Sequence, residues 1–164
     1  MGALIPNCSG APLRVRCSLF SVYGVNAMSE NSLRTILVVD DEPKVRRLVV
    51  RALAGAGYAV QEARNGVEGV ALFEMHKDAI GLAILDLVMP GHGGLDVANE
   101  LTAIRPDLRI LYISGYADSV VAHSIRREAP SLMIGKPFSP NTLVERVREL
   151  LALGDTQTPA MGHP

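Results

Sequence analysis

Cysteine is scarce in this chain and stands in the wrong place to build a framework. Only Cys8 and Cys17 occur among 164 residues, and both precede the first patterned segment. The core therefore uses no disulfide, which agrees with a reducing compartment and makes a cytoplasmic location the expectation. An excess of one charge is missing too. Sixteen Lys and Arg against 17 Asp and Glu leave a net charge of −1, so neither composition nor charge points to nucleic acid. No apolar run approaches the roughly 18 residues that a membrane span requires. The first 33 residues lack helical or strand period. Arg14 and Arg16 precede only a short apolar patch at Leu19-Phe20, too short for a secretory signal. Pro6 stands where a myristoylation motif needs Ser or Thr. Residues 1–33 read as a disordered extension, with Met28 as an alternative start, and 154–164 as a flexible tail.

Between these ends, 34–153 read as a single domain. Four apolar runs in it end in chemically useful residues. Thr35-Ile36-Leu37-Val38-Val39 runs into Asp40 and Asp41, and Leu82-Ala83-Ile84-Leu85 into Asp86. Arg109-Ile110-Leu111-Tyr112-Ile113 runs into Ser114, and Ser131-Leu132-Met133-Ile134 leads to Lys136-Pro137. The runs are continuous rather than alternating, as in strands buried on both faces.

Helical patterns separate the runs. The first helix follows Pro43, with Val45, Leu48, Val49, Ala52 and Leu53 at helical spacing and Gly55 and Gly57 at its end. A weaker strand spans Tyr58 to Ala63, and a second helix after Asn65-Gly66 carries Val67, Val70 and Ala71. A third has Val97, Leu101 and Ile104 and stops before Pro106; a fourth, shorter one covers about 118–128. The last is capped by Ser139 and carries Leu143, Val144, Val147, Leu150 and Leu151. Such alternation gives an α/β fold: a five-stranded parallel sheet with helices on both faces, in the flavodoxin-like order 2-1-3-4-5. Strands 1 and 3 are then neighbours, and Asp40, Asp41 and Asp86 meet at the carboxyl edge, where ligands bind in open α/β sheets.

Three carboxylates at one edge repel one another, and a divalent cation relieves that repulsion. Oxygen-only donors favour a hard ion, Mg²⁺ or Mn²⁺. Taken singly, Asp40-Asp41 reads as a helix cap, Ser114 as a turn residue and Lys136 as a surface lysine; their joint placement at strand ends outweighs each of these readings. Asp86 is a candidate nucleophile toward phosphorus, with Ser114 and Lys136 as donors to phosphoryl oxygens.

The segments Ile36-Leu37-Val38-Val39-Asp40-Asp41-Glu42-Pro43, Leu85-Asp86-Leu87-Val88-Met89-Pro90 and Lys136-Pro137-Phe138 resemble the CheY-like receiver domains of two-component response regulators. The resemblance covers roughly Leu33 to Leu153 and is closest to stand-alone receivers and those of hybrid histidine kinases. It implies Mg²⁺-dependent phosphorylation of Asp86 by a histidine kinase or phosphotransfer protein. Asp41 is then a direct metal ligand, Asp40 acts mainly through water, and the Val88 carbonyl completes the protein ligands. Ser114 becomes the switch hydroxyl, and Lys136, preceding a cis proline, pairs with the phosphoryl group. A stand-alone receiver would signal by changed partner binding through its fourth helix, fifth strand and fifth helix, with Tyr116, Ala117, Val120 and Val121 reporting the change. A homodimer formed on phosphorylation is compatible with this picture.

Two positions depart from the family pattern. Met133 stands where an aromatic ring often rotates on activation, and Val88 where many relatives are polar. The alternatives are a phosphorylation-independent adaptor of the same fold and an aspartate-nucleophile phosphatase. The latter would want a second acid where Val88 stands.

Overall fold

The computed structural model describes residues 35–115 and 132–152. The expected fourth helix, with Tyr116, Ala117, Val120 and Val121, lies outside them. The elements are β1 (Thr35–Val39), α1 (Pro43–Gly55), β2 (Ala59–Ala63), α2 (Gly66–His76) and β3 (Ile80–Asp86), then α3 (Gly94–Ile104), β4 (Arg109–Ser114), β5 (Met133–Gly135) and α4 (Pro140–Ala152). The strands form one parallel sheet in the order β2-β1-β3-β4-β5. This is the order read from the strand–helix alternation, and it makes β1 and β3 neighbours.

Side-chain alternation along each strand divides the core in two. Ile36, Val38, Leu82, Ile84, Leu111 and Ile113 face α1 and α4, meeting Val49, Leu53, Leu143 and Val147. Leu37, Val39, Ala83 and Leu85 face α2 and α3, meeting Phe73, Val97 and Leu101. Helices thus cover both faces, which is why the central strands carry no polar alternation.

Local signals set the helix ends. The Asn65 carboxamide oxygen accepts the Glu68 amide at 2.9 Å, and Glu68 returns a carboxylate oxygen to the Arg64 amide at 2.9 Å. Ser139 Oγ accepts the Thr142 amide at 3.1 Å, as expected of the last helix cap.

Two helices turn differently from their apolar pattern. In α2, Val67 is 69% exposed and Ala71 is exposed, while Gly66, Gly69 and Phe73 are buried. The helix lies so close to its neighbours that a Cβ on Gly69 would come 2.8 Å from Val39 Cγ2 on β1, and one on Gly66 would come 2.7 Å from Val97 Cγ2 on α3. Beside Phe73 the inward face is made of glycines, which apolar spacing cannot reveal. In α1, Leu48 is 42% exposed, and the buried positions are Arg46, Val49 and Leu53. The Arg46 guanidinium is held inside by polar partners at the β1 end and on β2. Ile104, at the last turn of α3, is also exposed.

Candidate functional site

Parallel register delivers the polar residues to one edge. Val39 pairs with Leu85, so Asp40 and Asp86 are the next residues out on adjoining strands. Asp86 in turn lies beside Ile113, and Ser114 pairs with Gly135. The Lys136 amide donates to the Ser114 carbonyl at 2.7 Å, and the Lys136–Pro137 peptide is cis, as anticipated.

Asp40, Asp41 and Asp86 each bring a carboxylate oxygen within 4.8 Å of the others. Asp40 and Asp86 are buried; Asp41 is exposed. Lys136 Nζ lies 2.6 Å from Asp86 Oδ2 and 3.2 Å from Asp40 Oδ2, bridging the two buried acids. Asp86 Oδ1 accepts the Val88 amide at 3.1 Å. Ser114 is buried one strand away. Val88 is 50% exposed beside Asp86. Met133 is buried and packs with Leu87 and Tyr112.

Electrostatics follow from this packing. Burial pushes the Asp40 carboxyl above its ordinary value; the Lys136 charge and the Glu42 amide pull against burial without cancelling it. For Lys136 burial is the largest single influence and acts downward, yet the hydrogen bond to Asp86 and the charges of Asp40 and Asp86 outweigh it, so its ammonium is held above the usual lysine range.

Asp40 is fully partnered. Its amide donates to Ala63 O at 3.3 Å, its Oδ1 accepts the Glu42 amide at 2.8 Å, its Oδ2 takes Lys136, and its carbonyl takes Arg46 Nη1 at 2.7 Å. The Asp41 carboxylate accepts no hydrogen bond among the described residues. A cluster of oxygen donors with one exposed, uncommitted carboxylate matches the chemistry of a hard divalent cation.

Two residues near the site were not singled out from the sequence. Arg46 could have been, because positions 46, 49 and 53 share one helical face. Gly94 gave no such signal. It underlies Asp86 so closely that a Cβ there would stand 2.2 Å from the Asp86 carbonyl oxygen.

The response regulator receiver domain profile matches residues 36–148. The chain is 34% identical over 121 residues to the response regulator receiver protein CpdR of Brucella abortus, covering 73% of this chain and 98% of that protein. It is 36% identical over 121 residues to the sensor kinase CckA of the same organism, covering 74% of this chain but only 13% of the kinase. Among solved structures, a receiver domain protein from Clostridium thermocellum matches with a TM-score of 0.70 and 25% identity, over 77% of this chain and all of that one. The receiver domain of the hybrid histidine kinase CckA matches with a TM-score of 0.61 and 32% identity, over 71% of this chain and 98% of that one. The chain belongs to the receiver domain family of two-component response regulators, which are signalling domains rather than conventional enzymes.

Proposed function

We propose that this receiver accepts a phosphoryl group on Asp86 from a histidine kinase or histidine phosphotransfer protein and thereby changes which protein it binds. The observation that carries the reading is the bridge from Lys136 Nζ to Asp86 and Asp40 at an edge where three carboxylates gather. An Asp86 oxygen attacks phosphorus, a P–O bond forms, the P–N bond to the donor imidazole breaks, and its electron pair leaves with the imidazole. Asp40, Asp41 and Asp86, with the Val88 carbonyl, would hold Mg²⁺ or Mn²⁺, which supplies charge screening for the incoming phosphoryl group. Lys136 offers a point charge to the phosphoryl oxygens, and Ser114 offers a hydroxyl. The signal would pass through the segment after Ser114, β5 and α4 as a shift between two states, in the cytoplasm and with a homodimer as one product.

The test is intact mass after incubation with acetyl phosphate, with and without Mg²⁺, on wild type and Asp86→Ala. A metal-dependent phosphoryl adduct that vanishes in the variant is expected. A folded wild type that gains no adduct would leave the phosphorylation-independent adaptor as the better reading.

A further inference from the structure

The geometry points to Arg46 as a positioning residue that sets the cation affinity of the acidic edge by fixing the direction of Asp41. This rests on reading Asp40, Asp41 and Asp86 as a cation site. Asp41 is the one carboxylate of the three with no hydrogen bond to steer it among the described residues, so its direction depends on the backbone that carries it. That backbone is gripped at one point. The Asp40 carbonyl belongs to the peptide plane joining Asp40 to Asp41, and Arg46 Nη1 donates to its oxygen at 2.7 Å in a buried contact. Rotation about the Asp40 Cα–C bond moves the carbonyl and Asp41 together, because the peptide between them is planar, so the Arg46 contact restrains the direction of Asp41.

The arginine is itself held. It projects from the inward face of α1 beside Val49 and Leu53, and its Nε lies 3.3 Å from Glu62 Oε2 on β2. A buried guanidinium is retained where its planar fork can serve two acceptors at once; here one is a backbone carbonyl and the other a carboxylate. The chain Glu62–Arg46–Asp40 carbonyl therefore links the edge strand to the exposed ligand of the triad. Asp40 does not depend on this link, because its side chain has partners in Glu42 and Lys136. The two adjacent acids are thus placed by different means.

A guanidinium bonded to the backbone between two of the acids also carries a charge, and the two roles predict opposite results. If Arg46 acts mainly as a competing cation, its removal tightens metal binding. If it positions Asp41, its removal weakens it. Mn²⁺ binding, followed as free-ion signal by electron paramagnetic resonance, separates them in the full chain. Arg46→Met, which keeps length and loses the donors, is expected to weaken Mn²⁺ about tenfold, as loss of an outer partner of a metal ligand commonly does. It should raise the Mg²⁺ needed for half-maximal phosphoryl uptake more than it lowers uptake at saturating Mg²⁺. Arg46→Lys, which keeps one donor, should recover part of the affinity. Glu62→Gln alters a half-exposed residue and should weaken Mn²⁺ less than Arg46→Met does, an effect of the same kind. It stands in if Arg46→Met does not fold.

Unchanged Mn²⁺ affinity with a lowered melting temperature would reduce Arg46 to a structural residue and overturn the inference. Tighter binding would overturn it as well. A wild type that binds Mn²⁺ and takes up phosphoryl, beside variants that match it, fails this inference alone. A wild type that binds no Mn²⁺ fails the cation-site reading and this inference together.

Discussion

Lys136 and Arg105 are cations at opposite ends of the same sheet, and each reaches two oxygens on different elements. At the carboxyl edge, Lys136 Nζ spans the side chains of Asp86 and Asp40. At the amino edge, Arg105 donates to the carbonyls of Lys77, after α2, and Ile80, at the start of β3. It also lies 5.5 Å from the centre of the Phe73 ring, with Asp107 3.8 Å away. The two side chains are similarly sheltered, so burial does not distinguish them. Their partners do. Carboxylates are charged and can be shared with, or surrendered to, another cation, whereas the carbonyls of Lys77 and Ile80 are neutral. One end of the sheet is built for exchange and the other for permanence.

The sharpest test of that contrast replaces each cation by Met. Lys136→Met leaves two buried carboxylates uncompensated and should cost about 3–5 kcal/mol in metal-free buffer, as breaking a buried pair does. Saturating Mg²⁺ should restore much of the loss while phosphoryl uptake stays depressed; denaturant midpoints with and without Mg²⁺ measure this. Arg105→Met should cost about 2–3 kcal/mol through its carbonyl bonds and ring contact, with no recovery on adding Mg²⁺ and little effect on uptake. If Mg²⁺ rescues both variants equally, the contrast collapses.

Asp40 supplies a finer test. Its native carboxyl lies above the ordinary value, so the folded protein holds that proton more tightly than the unfolded chain does. Stability from this group is therefore greatest in acid and falls as pH climbs from the usual carboxylate range through the raised native value. In metal-free buffer, Asp40→Asn should remove this slope and gain on wild type by the order of 1 kcal/mol between pH 4 and pH 7. Urea midpoints across that range would show parallel curves if the reasoning is wrong.

The smallest effect concerns Val88, whose side chain stands half exposed beside Asp86. An apolar neighbour should hinder attacking water, so the phosphorylated Val88→Asn variant should lose phosphoryl faster by about fivefold, equivalent to roughly 1 kcal/mol in the barrier. Equal decay rates would assign Val88 no shielding role.

What could be read from the chain follows the same division between strand ends and helix faces. The continuous apolar runs at Ile36–Val39, Leu82–Leu85 and Ile110–Ile113 were legible because a buried parallel strand tolerates nothing else. Asp40, Asp86, Ser114 and Lys136 follow from where such runs stop, and their convergence follows from strand order. The faces of α1 and α2 were less legible. Gly66 and Gly69 face inward because of how closely one helix approaches Val39 and Val97, a distance set by the whole packing. Arg46 is buried because acceptors distant in sequence await it. Arg105 was unremarked because both its acceptors are carbonyls, which every residue supplies.

The shortness of β5 has a consequence for hydrogen exchange. Among the described residues the strand meets β4 at three register positions and no other strand, and the Lys136 amide extends that ladder by one bond to Ser114. β3, by contrast, is bonded along both edges. Amides of Ile134 and Lys136 should therefore exchange through a local opening that leaves Ile84 and Leu85 protected. Lys136 rides on the least secured strand end of the sheet, so its release from Asp40 and Asp86 need not await the loosening of either core.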